Sequence, residues 1–146
     1  VVVEGDFPVA FVQRDLSAIG NPTDGATYSP GGDLLLVDLA SPSADRQNIT
    51  AGIVQGPHDV SDPEVSYDDK RLLFAMKAPQ WRNNATWNLF EYDTEARTLT
   101  RLIADDALAN AGDDVDPAYL PDGRIVFSSN RQAATRKKMQ DEGKVR

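Results

Sequence analysis

His58, the only histidine of the chain, opens the stretch HDVSD at residues 58–62. GDDVD, at residues 112–116, stands 54 residues later. Together His58, Asp59, Asp62, Asp113, Asp114 and Asp116 form a set of oxygen and imidazole donors. Clustered carboxylates supply hard ligands for calcium or magnesium, and an imidazole extends the choice to a transition metal. The spacing argues for restraint, because GDDVD lacks the alternating Asp-x-Asp-x-Asp-Gly pattern of a calcium loop. An Asp before Pro more commonly binds backbone N–H groups of its own turn, and a loop histidine is more often solvated than functional. A second candidate pair is Trp81 and Arg82, in the loop that ends at Trp87. Buried Trp and Arg are the residues that anchor partners at interfaces. Trp87 runs directly into an apolar stretch, where packing is the simpler role.

Other chemistries lack their residues. The chain has no G-x-S-x-G elbow, no G-x-x-x-x-G-K-[ST] loop, no H-E-x-x-H, and one histidine for any triad. It also has no cysteine, which removes disulfides, zinc thiolates, thiol nucleophiles and a C-x-x-C-H haem attachment from this chain. No catalytic residue and no cofactor is therefore assigned. Fifteen basic against 23 acidic residues give a net charge of −8, which offers a phosphate backbone no attraction. Nucleic acid is not an expected partner. Residues 131–146 differ, with six basic and two acidic residues, and read as a basic loop or tail.

The elements that must hold these residues are short. Gly and Pro recur throughout, and the longest aliphatic run is LLLV at 34–37, far below the roughly 20 residues of a membrane-spanning helix. No membrane insertion is expected. The first residues, VVVEGDFPVAFVQRD, lack the basic and apolar regions of a signal peptide and read as a strand near a cut end, so the chain is expected to be a piece of a longer polypeptide. NIT at 48–50 and NAT at 84–86 match a glycosylation sequon, a pattern that recurs by chance.

A repeat organises the apolar runs. Asp62-Pro63 returns as Asp116-Pro117 after 54 residues, Phe74 as Phe127 after 53, and DLLLVD at 33–38 as NLFEYD at 88–93 after 55. Each unit reads as four short strands. The first follows Asp-Pro (Glu64 to Tyr67; Ala118 to Leu120), and the turns DDK and PDG lead to the second (Arg71 to Met76; Arg124 to Ser129). The third is NLFEYD or DLLLVD, and the fourth is TLTRLI at 98–103 or the stretch around QNIT at 47–50. Four antiparallel strands per unit at this period describe a β-propeller blade. The expected fold is all-β, a partial β-propeller of about two and a half four-stranded blades: residues 1–50 a partial blade, 62–103 a full one, 116–130 half of another. A β-sandwich is the competing reading, and it predicts no common register for the three recurrences.

DPAYLPDGRIVFSSNR, DPEVSYDDKRLLFAMK and NLFEYDTEARTLTRLI resemble the TolB-like, WD-repeat-like propeller repeat over about residues 9–130. The first insertion, residues 14–50, and GDDVDPAYLPDGRIVFSSNRQ are also similar to the propeller region of proteins related to the hydrazine synthase alpha subunit. The chain departs from the repeat in two places: SYDDK replaces Pro-Asp-Gly in the middle unit, and the first unit has no Asp-Pro strand. The resemblance implies an extracytoplasmic bacterial protein, periplasmic or extracellular, whose other domains or subunits are the partners of a non-catalytic interaction or scaffolding module. It leaves two alternatives. Related propellers gate serine peptidases of the prolyl oligopeptidase kind, and a hydrazine-synthase-like protein would carry its haems in other domains. A third reading keeps a small ligand or cation at an acidic channel mouth.

Topology predicts where that mouth lies. In an up-and-down blade, residues 15–32, 51–61, 77–87 and 104–115 emerge at one end and the short turns at the other. The long connections, with His58, Asp59, Asp62, Trp81, Arg82, Asp113, Asp114 and Asp116, form the expected binding face.

Overall fold

A computed structural model describes residues 7–15, 30–41, 43–131, 137 and 139–143. Of the sequence expectations, those for residues 16–29, and most of those for the basic tail, lie outside the described residues. Within them the chain is mostly β, with a short helix before its last strand pair and helical residues at 131, 137 and 139–141, and every strand pairing is antiparallel. The first sheet holds β1 (Val9–Gln13), β2 (Asp33–Val37) and β3 (Arg46–Asn48). The second holds β4 (Asp59–Val65), β5 (Arg71–Ala78), β6 (Asn84–Asp93) and β7 (Thr98–Arg101), in that order. The helix α1 (Asp106–Ala109) precedes a pair, β8 (Asp114–Tyr119) and β9 (Ile125–Ser129). Among the described residues no helix is long and apolar enough to cross a membrane.

Strand periodicity sorts the side chains onto two faces. Leu72, Phe74, Met76 and Ala78 of β5, with Phe90 and Tyr92 of β6, meet Leu34, Ile49, Val54 and Val60 in one apolar core. The alternate residues Leu73, Ala75 and Leu89 are buried as well, which explains why β5 is apolar almost throughout. β1 and β2 lie against β4, and β8 lies against β4, β5 and β6. Tyr119 ties β8 to the second sheet, its hydroxyl donating to Glu91 Oε2 at 2.7 Å while the Arg71 guanidinium lies over its ring at 5.7 Å. Burial, followed by that hydrogen bond, pushes the Tyr119 phenol well above its ordinary value.

The two Asp-Pro strands begin earlier than the sequence suggests. β4 starts at Asp59 rather than Glu64, and β8 at Asp114 rather than Ala118. The reason is a bulge inside each strand, at Ser61/Glu64 and at Val115/Ala118. Asp62 and Asp116 take φ of 55° and 51° there. This left-handed conformation, which Asp tolerates, turns each chain so that a proline without an N–H sits at the bulge. β5 and β6 also run beyond expectation, to Ala78 and from Asn84, whereas β7 stops at Arg101. The connection 104–115, expected as loop, contains α1, capped by Asp105, whose carboxylate accepts the Leu108 N–H at 2.8 Å.

Candidate functional site

Meandering strand order places three connections at one end, and side-chain contacts hold them there. Gln80 packs against Gly56. Asn83 donates to Asp106 at 3.3 Å, and Asn110 donates to the Asn83 carbonyl at 2.8 Å. The turns at 66–71, 93–98 and 120–124 lie at the opposite end. The eight candidate residues do not form one cluster at the loop end. They divide into four neighbourhoods.

The first joins the first sheet to β4. His58 Nε2 meets Asp33 Oδ1 at 2.8 Å and its Nδ1 meets the Gly56 carbonyl at 3.1 Å. Thr50, fully buried, donates to the same Asp33 oxygen at 3.1 Å and accepts the Leu34 N–H. His58 is thus a tether between sheets rather than a solvated loop residue. Beside it Asp59 is 3% exposed, within β4 and not in a loop. Arg14 Nη2 approaches Asp59 Oδ1 at 3.0 Å, an ionic contact only, since that oxygen receives no aligned hydrogen bond. Burial pushes the Asp59 carboxyl above the ordinary carboxylate range, and the Arg14 guanidinium offsets this only in part.

Two predictions follow from the Asp59 environment. Because the folded value is raised, the protonated acid is the form the fold prefers: its contribution is fully present below the unfolded value of about 3.9 and is lost as pH rises through the folded value. Asp59→Asn mimics the neutral acid. Urea titrations in weakly acidic buffers are expected to show wild type losing stability relative to Asp59→Asn as pH climbs from about 4; a constant difference would contradict this. Gly32 lies against the same carboxylate, and a Cβ there would meet Asp59 Oδ1 at 2.1 Å and the Val60 backbone N at 3.0 Å. Gly32→Ala is expected to cost about 1–3 kcal/mol, read as a lower urea midpoint. An unchanged midpoint would show that β4 yields freely.

The second neighbourhood closes α1 onto β8. Asp114 is fully buried within β8, and Arg131 donates to both of its oxygens, through Nε at 3.0 Å and through Nη2. Arg131 also donates to the Leu108 carbonyl and, at 3.4 Å, to that of Ala109. Asp113 accepts the Trp87 N–H at 3.1 Å and the Asn130 amide at 2.8 Å. Its carboxylate is occupied with capping. The third is the pair of bulges, where Asp62 Oδ2 accepts the Asp116 N–H at 3.2 Å. This is capping across a repeat instead of within one turn. Among the described residues no group of three His, Asp or Glu side chains is placed to hold a metal ion.

The fourth neighbourhood is an open pocket of about 410 Å³ lined by Arg82, Leu99, Thr100, Arg101, Ala104 and Asp106. Trp81 is 7% exposed and belongs to the core, its ring 6.0 Å from that of Phe90. A Trp so covered is no surface anchor, which corrects its expected role; its partner Arg82 is the exposed member, with its guanidinium 4.6 Å from the indole centroid. Arg101 forms an ion pair with Asp106 and donates to the carbonyls of Ile103, Ala104 and Arg82. Hydrogen bonds from Arg101 and Asn83 hold the Asp106 carboxyl below the ordinary range. Arg14, Arg101 and Arg131 escape sequence reading because their partners are distant in sequence or occupy irregular connections. A weak signal existed for two: Arg14 and Arg131 each follow closely on an apolar strand that contains Phe, at Phe11 and Phe127.

The chain matches no family model, and a search of curated proteins finds no match to it.

Proposed function

We propose that the chain is a non-catalytic β-propeller segment, acting as an interaction or scaffolding module of a larger extracytoplasmic bacterial protein. One observation carries the reading. The β4–β5 hairpin and the β8–β9 hairpin share the same left-handed Asp and the same register shift, and Asp62 of the first caps the backbone of Asp116 in the second. A bulged hairpin that repeats and binds its own successor supports a blade-by-blade arrangement. A propeller closes with about four to eight blades, so the remaining blades and any chemistry belong to the rest of the polypeptide. The end bearing the connections around His58, Arg82 and Asp106 is the binding face on this reading, since loops held by a rigid sheet are the usual seat of recognition.

Determining the coding sequence on both sides and the structure of the whole polypeptide tests the architecture. Further Asp-Pro repeats closing into a ring are expected, whereas a two-layer sandwich would refute it. Hydrogen exchange on that polypeptide with and without its natural subunits tests the face. Protection is expected at 51–58, 79–83 and 102–113; protection confined to the turns at 66–71 and 120–124 would place recognition at the other end.

A further inference from the structure

We propose that the pocket between the 81–84 turn and the β7–α1 connection binds a carboxylate, with the Arg82 guanidinium as its counter-ion. This stands independently of the propeller reading. Arg101 is committed, with one carboxylate and three backbone carbonyls around a side chain only 11% exposed. Arg82 is not committed. Among the described residues its guanidinium contacts only the Trp81 ring, and no carboxylate forms an ion pair with it. Since Asp106 balances Arg101, Arg82 leaves one unbalanced positive charge at the pocket.

The geometry presents that charge. Arg82 and Asn83 take φ of 49° and 53°, two successive left-handed residues without glycine, a strain that persists only where the surroundings enforce it. Here they do. Trp81 N–H donates to the Ala78 carbonyl at 2.9 Å, Asn84 N–H to the Trp81 carbonyl at 3.1 Å, and Asn83 is held by Asp106 and Asn110. The Arg82 guanidinium carbon lies over the indole at 4.6 Å, and among the described residues none of its N–H groups donates a hydrogen bond, which leaves the fork that matches a carboxylate without a partner. Thr100 lines the same pocket, and among the described residues its hydroxyl has no partner. Ala104 supplies apolar wall for a short aliphatic chain. The net charge of −8 disfavours polyanions, so the ligand is a group with a single carboxylate, either a free short-chain acid or one acidic side chain of a peptide.

The test is a two-dimensional NMR titration of the isotope-labelled chain with sodium butyrate, against sodium chloride at equal ionic strength. A second arm uses acetyl-Gly-Glu-Gly-amide and its Gln counterpart. Saturable shifts of the Trp81 indole N–H and the Thr100 amide are expected, weakened about tenfold or more in Arg82→Gln and less in Arg82→Lys, which keeps the charge without the fork. Thr100→Val gives an independent weakening at the other rim. Saturation by butyrate alone assigns a free acid, and saturation by the Glu peptide alone assigns an acidic side chain. No saturable shift with either probe, the same shift with chloride, or undiminished binding by a folded Arg82→Gln would overturn the proposal.

Discussion

Phe90→Ala is expected to lower the unfolding free energy by about 3–5 kcal/mol, the range for deleting a fully buried aromatic ring. Phe90 is 0% exposed and lies between two rings, with centroids 6.2 Å from Phe74 and 6.0 Å from Trp81. The second strand of the second sheet and the turn before β6 therefore meet on it. Since small domains are stable by only about 5–15 kcal/mol, the loss removes a large share of the folding free energy. Urea denaturation followed by Trp fluorescence measures the effect, with Tyr67→Ala, at a residue 71% exposed, as the comparison that changes little. A loss below about 1 kcal/mol for Phe90→Ala would mean that the aromatic group is not the centre of the core. The variant also bears on the pocket, because Trp81 rests on Phe90 and carries Arg82.

The second large effect is expected at Arg131. Arg131→Ala leaves the Asp114 carboxylate buried without its cation, a change worth about 3–5 kcal/mol, and it frees the α1 carbonyls that the guanidinium binds. The cost arises from the stranded charge more than from the lost bond. Asp114→Leu combined with Arg131→Met removes both charges, and this double variant is expected to recover most of the loss, as apolar replacements of buried ion pairs do. Denaturation of the single and double variants decides the matter. If Arg131→Ala is harmless, Asp114 is not sealed from water; if the double variant is as unstable as the single, the α1 contacts dominate.

The strand sequence of this chain was legible because its turns are chemically explicit. Asp-Gly at 122–123 and Asp-Asp at 68–69 mark hairpins whose left-handed residues are Gly123 and Asp69, with φ of 84° and 59°. The unequal recurrences have a structural cause as well. Ser66 N–H bonds to the Arg71 carbonyl and Leu120 N–H to that of Arg124, so the later turn is one residue shorter; the spacing is 54 before it and 53 after it. Asp-Pro misled at the strand starts, since the same two residues that end a strand elsewhere here sit inside one as a bulge. The acidic residues misled for a different reason. Sequence shows that Asp59 and Asp114 are close to other acids, but not that Arg14 and Arg131 are folded against them, because such pairs depend on tertiary packing. Trp81 read as a possible anchor since a loop position suggests exposure, while its turn in fact points the ring into the core.

One consequence concerns how a solution of this chain ages. β9 pairs with β8 alone among the described residues, and Val126 and Phe127 are 46% and 44% exposed. Ile125–Ser129 is an uncharged, β-prone segment without proline, with Arg124 as its flanking charge. Such an edge is a template for identical edges on other molecules, so self-association should begin there, grow with concentration, and leave the four-stranded sheet intact inside the first oligomers. Shelf life would then be set by five residues at one rim of the molecule, and a lysine at Val126 would extend it without touching the core.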